Sequence, residues 1–223
     1  MSCEVRSTYL ERAARGLRDF LEETCPDVLV LATHGRGPVS RNWLGSTTDR
    51  LARAGLVPLL VVRPDGDGDP EPGAAASMRR VLVPLDGSEL AEGAVEGAVR
   101  LLRADAQLVL LRVVESGPMP GSLYIPDQIR DSREAEEEAS RYMDEAVARF
   151  GGNGRRVEGR VRLGERASLE IVAAAEEVGA DLIAIATHGR GGLVRAALGS
   201  VTDKVIRTAS TPVLVLPASQ ASD

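Results

Sequence analysis

Two stretches of this chain combine glycines and arginines in a way that suits an anionic ligand. Ala186-Thr187-His188-Gly189-Arg190-Gly191-Gly192 is followed by Arg195 and then by Gly199-Ser200, where a helix is expected to begin. Glycine lets a backbone approach a phosphate closely, and the amides and dipole of a helix start favour negative charge. The chemistry expected is phosphate binding, set against the alternative of a plain strand-to-helix connection, since glycine loops are common punctuation. His34 and His188 stand beside such loops, but neither has a serine or cysteine nucleophile with a base and an orienting group in its own segment, so both are read as loop-stabilising. Lys204 is the only lysine and no Gly-x4-Gly-Lys-[Ser/Thr] loop occurs, which argues against vigorous phosphoryl transfer. Cys3 and Cys25 lie in no metal-binding spacing, and the expectation is no metal site and no catalytic residue.

The elements that must position the loop are legible from hydrophobic pattern. Val81–Leu85 is a short apolar run ending in Asp86-Gly87-Ser88, a buried strand with Ser88 as N-cap of the following helix. Leu90, Ala94, Val95, Ala98, Val99 and Leu102 share a helical face, and Gln107–Val114 is a second strand. A charged helix is expected over Asp131–Phe150, a strand over Arg156–Leu163, a helix over Ala167–Val178 and a strand over Asp181–Ala186. A helix over Gly199–Ala209 and a strand over Pro212–Leu216 complete the series. Strands alternating with helices imply a mainly parallel sheet covered on both faces. Ligands in such sheets bind beyond the carboxyl ends of the strands, where Asp86 and the glycine loop both fall.

An internal repeat organises the chain. His34 recurs as His188, 154 positions later, within Ala-Thr-His-Gly-Arg-Gly. At the same offset Asp27 meets Asp181, Leu44-Gly45-Ser46 meets Leu198-Gly199-Ser200, Asp49 meets Asp203 and Pro58 meets Pro212. The first copy has no counterpart of the stretch from about Arg79 to Gly152, so it is read as the carboxyl-terminal half of a domain. The expected division is a partial domain over 1–64, a Pro-, Gly- and acid-rich linker over 65–77, a complete domain over 78–217 and a tail over 218–223. With no partner for Asp86 or Val113, and with Pro38 opposite Gly192, the first copy is expected to be structural and the less stable half. Trp43 is read as packing a helix or an interface.

The second copy resembles the universal stress protein family throughout, and the first resembles the same family over half a domain. The likeness rests on Val83-Pro84-Leu85-Asp86, Leu111-Arg112-Val113-Val114, Leu163-Gly164, Asp181–Gly189 and Thr211–Leu216. It rests also on Ala186-x2-Gly189-x9-Gly199-Ser200, which is similar to the ATP-binding members' Gly-x2-Gly-x9-Gly-[Ser/Thr] with alanine in the first place. The resemblance implies a Rossmann-like, adenine nucleotide alpha hydrolase-like fold: α/β, with an open, mainly parallel five-stranded sheet and helices on both faces, preceded by the partial copy. It implies that Pro84, Asp86, Val113, Gly164, Ala186, Gly189, Arg190, Gly199, Ser200 and Val201 surround ATP, with or without Mg2+. The Ala186 methyl is expected to narrow the space for a phosphate and weaken binding. The resemblance also implies antiparallel pairing of the two final strands, making an intramolecular pseudo-dimer of the repeats and leaving room for a homodimer.

Composition sets the remaining bounds. The chain has 223 residues, 43% of them apolar but only 3% aromatic, which favours an aliphatic core. A net charge of −6 without a basic run argues against nucleic acid as partner, and no apolar run approaches the roughly 20 residues needed to cross a bilayer. The amino terminus lacks a secretory pattern, so the cytoplasm is expected. The function expected is stress-responsive nucleotide sensing with at most slow hydrolysis, not enzymatic turnover. The alternative is a nucleotide-free interaction module of the same fold.

Overall fold

The computed structural model describes residues 13–32, 46–63, 78–115, 127–152, 154–187 and 198–217. The readings made for Cys3, His34, Pro38, Trp43, His188, Gly189, Arg190, Arg195 and the linker lie outside them. The first copy forms α1 (Ala13–Thr24), β1 (Leu29–Ala32), α2 (Ser46–Ala54) and β2 (Leu59–Val62). The second forms β3 (Arg80–Leu85), α3 (Glu89–Leu101), β4 (Gln107–Glu115), α4 (Asp127–Phe150) and β5 (Val157–Gly164). It continues with α5 (Ala167–Glu177), β6 (Leu182–Ala186), α6 (Ser200–Thr208) and β7 (Val213–Leu216). The expected elements are present with shifts of a few residues at their ends. α4 begins earlier than its periodicity indicates, because the apolar stripe that marks it starts only near Ala139.

All seven strands join one sheet, in the order β1-β2-β7-β6-β3-β4-β5. The five strands of the second copy are mutually parallel, as expected, and the two strands of the first copy extend the same sheet. Strand β3 lies in the middle of its domain: the chain steps outward to β4 and β5 on one side, then returns to β6 and β7 on the other. Because crossovers between parallel strands are right-handed, reversing the direction of travel moves the helices to the opposite face. Accordingly α3 and α4 cover one face through Ala91, Ala94, Val95, Ala98, Met143 and Ala146. Helices α5 and α6 cover the other through Ile171, Ala174, Ala175, Val205 and Ile206. Burial on both faces explains the near-continuous apolar runs of β3, β4 and β6. Small residues on α3 bring it close to the sheet: a Cβ at Gly97 would stand 3.0 Å from Leu216 Cδ2.

The two copies meet along β2 and β7, the final strand of each, which pair antiparallel through Leu59↔Val215, Leu60↔Leu214 and Val61↔Val213. The expected pairing is thus present within one chain. Above this ladder α2 and α6 present equivalent ion pairs at the repeat offset: Arg53 to Asp49 at 2.9 Å and Arg207 to Asp203 at 2.9 Å. Arg207 also stands 3.8 Å from Asp49 of the other copy. Arg63 donates to the Arg207 carbonyl at 2.6 Å, a further bond across the join.

The Arg53 guanidinium bonded to Asp49 holds that carboxyl below its ordinary value, with Arg207 adding to the effect and partial burial opposing it. A depressed carboxylate contributes stability above its unfolded value of about 3.9 and loses it as pH falls through the lower folded value. Asp49→Asn should therefore lower the unfolding temperature at pH 7 by the equivalent of at most about 1 kcal/mol. The difference from the parent chain should shrink as pH falls below the unfolded carboxylate value and through the lower folded one, which thermal melts at several pH values would read.

Candidate functional site

The reversal at β3 makes the carboxyl ends of β3 and β6 the switch point of the sheet, the place where sheets of this kind form a crevice and receive ligands. The β3–β6 ladder is short, with only Val81↔Leu182 and Leu82↔Ile183 in register. Beyond Leu82, β3 continues beside β4 alone, through Pro84↔Leu111 and Leu85↔Arg112. Pro84 has no N–H to give to a strand on its β6 side, so it suits a strand that is leaving a neighbour.

Asp86 follows β3 at the mouth of this crevice. Its Oδ1 accepts from the Ser88 amide at 3.0 Å and from Ser88 Oγ at 2.6 Å, while Ser88 Oγ accepts from the Ala91 amide at 3.2 Å. The turn passes through Gly87 at φ 82, a conformation that side chains disfavour. Asp86 thus fixes the cap of α3, and the cap in turn fixes the direction of the carboxylate. Beside it the Arg112 guanidinium donates to the Leu85 carbonyl at 3.3 Å. Tyr142 of α4 donates to Glu92 at 3.0 Å, and Arg149 pairs with the other oxygen of Glu92. Burial, and then the Glu92 carboxylate, push the Tyr142 hydroxyl pKa upward, so it remains a neutral donor.

Across the crevice the chain leaves β6 and re-enters at Gly199, the N-cap of α6. Gly199 has no side chain with which to cap the first turn, whose leading amides have no partner inside the helix. Its own amide donates to the Thr187 carbonyl at 2.7 Å, the Thr187 amide donates to the Leu216 carbonyl at 2.9 Å, and Thr202 Oγ1 donates to the Ala186 carbonyl at 2.8 Å. These bonds close the loop at its base and aim the start of α6 along the end of β6. Sequence reasoning missed Thr187 and Thr202. The available signal was their recurrence at the repeat offset, as Thr33 and Thr48.

The described members of the proposed set gather at this one end of the sheet. Pro84 and Asp86 close β3, Val113 and Gly164 stand near the ends of β4 and β5, Ala186 ends β6, and Gly199, Ser200 and Val201 open α6. Val113 and Val201 both pack on the core beneath α5 and α6. A Cβ on Gly164 would meet the Glu170 side chain, whose carboxylate pairs with Arg162 at 3.2 Å and would have to shift. Ala186 is a buried strand residue whose methyl packs in the cluster beneath α3.

Comparison with known proteins agrees with the fold. The family model described as "Universal stress protein family" matches residues 4–63 and 78–217. Universal stress protein Rv2005c of Mycobacterium tuberculosis is 30% identical over 197 residues, spanning 85% of this chain and 61% of its own length. The chain thus spans about three-fifths of that relative. Universal stress protein YxiE of Bacillus subtilis is 31% identical over 145 residues, 61% of this chain and 97% of its own. Among solved structures, hypothetical protein MJ0577 aligns with TM-score 0.56 at 29% identity, over 65% of this chain and 99% of that one.

Because the Ala186 methyl belongs to the core, Ala186→Gly should open no space at the loop. It should instead destabilise the chain by about 1 kcal/mol, through backbone entropy and lost burial. Denaturant unfolding reads the loss, and nucleotide titration of the same variant should show no gain in affinity.

Proposed function

The chain belongs to the universal stress protein family, and from that premise we propose that the crevice between β3 and β6 binds an adenine nucleotide, ATP in particular, as the input of a stress-response sensor or regulator. What supports the reading is that two chemically different groups fall at the same end of the sheet: a carboxylate oriented by its turn after β3, and a helix start after β6 whose N-cap glycine has no capping side chain.

Each group suits a different part of the ligand. The Asp86 carboxylate is an acceptor, fit for ribose hydroxyls or an adenine amino group, and the β4 backbone at Val113 completes the nucleoside side. The amides at Gly199, Ser200 and Val201 are donors aligned with the helix dipole and suit phosphate oxygens. Gly189 and Arg190 of the intervening loop would add close backbone approach and positive charge. Pro84, Gly164 and Ala186 serve by shaping the strand ends. Bound nucleotide would act by holding the start of α6 against the end of β3, with at most slow hydrolysis. The alternative, a nucleotide-free interaction module, draws support from the exposed Val30 of β1 and Val28 just before it.

Calorimetric titration of the purified chain with ATP tests the reading. Saturable one-site binding is expected, with the dissociation constant raised at least about tenfold in Asp86→Ala, equivalent to ~1.4 kcal/mol. Asp86→Asn, which keeps an acceptor for Ser88, should separate loss of ligand contact from loss of the helix cap. Gly189→Val should abolish binding by crowding the loop. A folded chain that takes up no ATP would defeat the proposal and select the interaction module.

A further inference from the structure

The amino ends of the second copy's strands lie at the opposite end of the sheet from the crevice. There an open cavity of about 610 Å³ is lined by Arg79, Arg80, Asp105, Gln107, Arg156 and Asp181. Its backbone groups are already engaged. The Gln107 amide donates to the Arg79 carbonyl at 2.7 Å, the Leu108 amide to the Arg156 carbonyl at 2.9 Å, and the Asp181 amide to the Arg80 carbonyl at 2.8 Å. These bonds lock the starts of β3, β4, β5 and β6 side by side, so what the cavity offers a ligand is side chains.

Most of the charge at this end is spent on the fold. Asp181 Oδ2 accepts from the Arg79 and Arg80 amides, each at 2.9 Å. The Arg80 guanidinium donates to the Val178 carbonyl at 2.6 Å, at the end of α5, where a cation suits the helix dipole. Asp105 pairs with Arg103 at 3.0 Å, and Arg155 turns aside to the Arg103 and Ala106 carbonyls. Two guanidiniums are left over. Arg79 and Arg156 are exposed, and among the described residues neither side chain makes a hydrogen bond or an ion pair; Arg79 acts on Asp105 only at a distance. Two unmatched cations lining one cavity stand out in a chain of net charge −6.

Strand register sets their spacing. Gln107 of β4 pairs with Arg80 of β3, and Leu108 with Val157 of β5, so Arg156 falls beside Gln107 on the far side. The backbones that carry the two arginines are thus two strand spacings apart, roughly 10 Å, with Gln107 between them. Gly154 and Gly179, which also line the cavity, leave it open: a Cβ at either would meet nothing within 4 Å.

We propose that this cavity is a second anion site, taking a phosphoryl group between the Arg79 and Arg156 guanidiniums, with the Gln107 side-chain amide donating from the strand between. Guanidinium forks match phosphate oxygens two by two. A phosphate dianion answers both cations at once, whereas a single carboxylate leaves one unmatched. The volume leaves room beside the phosphoryl group for a small molecule that carries it. The site shares no residue with the nucleotide crevice, so it stands or falls separately from the proposed nucleotide binding.

The experiment is an amide NMR titration of the full chain with inorganic phosphate and, separately, with glycerol phosphate, the ionic strength held constant with sodium chloride. Saturable one-site shifts are expected at residues 79–80, 105–107, 154–156 and 179–181. Tighter binding of glycerol phosphate assigns the site to a small phosphomonoester, and equal binding assigns it to free phosphate. Arg79→Gln and Arg156→Gln should each raise the dissociation constant at least about tenfold, as loss of a charged hydrogen-bond donor predicts. Neither should move the unfolding temperature, because neither side chain bonds to the fold. Arg156→Lys, which keeps the charge without the fork, should recover part of the affinity. Shifts that stay linear with concentration overturn the proposal, as do saturable shifts that survive the double change of Arg79 and Arg156 to glutamine. Saturation confined to residues 199–201 would move the anion to the crevice and equally sink it. So would binding that appears only once Asp65, Asp67, Asp69 and Glu71 are made neutral, since the guanidiniums are then matched within the chain.

Discussion

The crevice depends on the pairing of β3 with β6, a short parallel ladder between strands separated by about a hundred residues of chain. The ladder fixes two strand ends side by side, but the connections that leave them depart to opposite faces of the sheet. That divergence is forced by right-handed crossovers on both sides of a central strand, and no loop placed over it can pack as tightly as helix on sheet. Leu82 and Ile183, the last pair of that ladder, are both fully buried. The polar groups at the mouth of the crevice are fixed in turn by bonds to their own backbone: Asp86 through Ser88, and the start of α6 through Thr187 and Thr202.

Most of this architecture was legible from the residues. Doubly buried strands appear as unbroken aliphatic runs, and Asp86-Gly87-Ser88 announces a strand-to-helix turn by its chemistry. The repeat offset carries across all of α1, β1, α2 and β2 without a gap. The wall residues could be named because backbone conformation at turns is written in glycine, aspartate and serine. The orientation of Ala186 could not, since a motif aligned by spacing does not say on which side of a strand a side chain falls. Alternation along β6, with Ala184 and Ala186 sharing the face beneath α3, would have placed the methyl in the core. Thr202 was equally hidden: a buried hydroxyl donating to a strand carbonyl leaves no periodic trace.

The join between copies has a different physical character from the crevice. Three residue pairs in an antiparallel ladder supply the backbone continuity, and near-symmetric charge pairs on α2 and α6 sit above it. The symmetry is local, because the helix layer that covers β7 on its other face ends at the margin of β2. One consequence is that the first copy borrows order from the second, through β7 and through Arg63 reaching the Arg207 carbonyl.

That borrowed order also imposes a schedule. Strands β2 and β7 are about 150 residues apart in the chain, yet each is the other's antiparallel neighbour. Loop closure over so many residues must precede the reward of the contact, so this ladder belongs to the late and slow part of folding. Until it forms, β2 offers an uncharged edge to whatever strand is near, so the interval before closure is when mispairing with another chain is open to it.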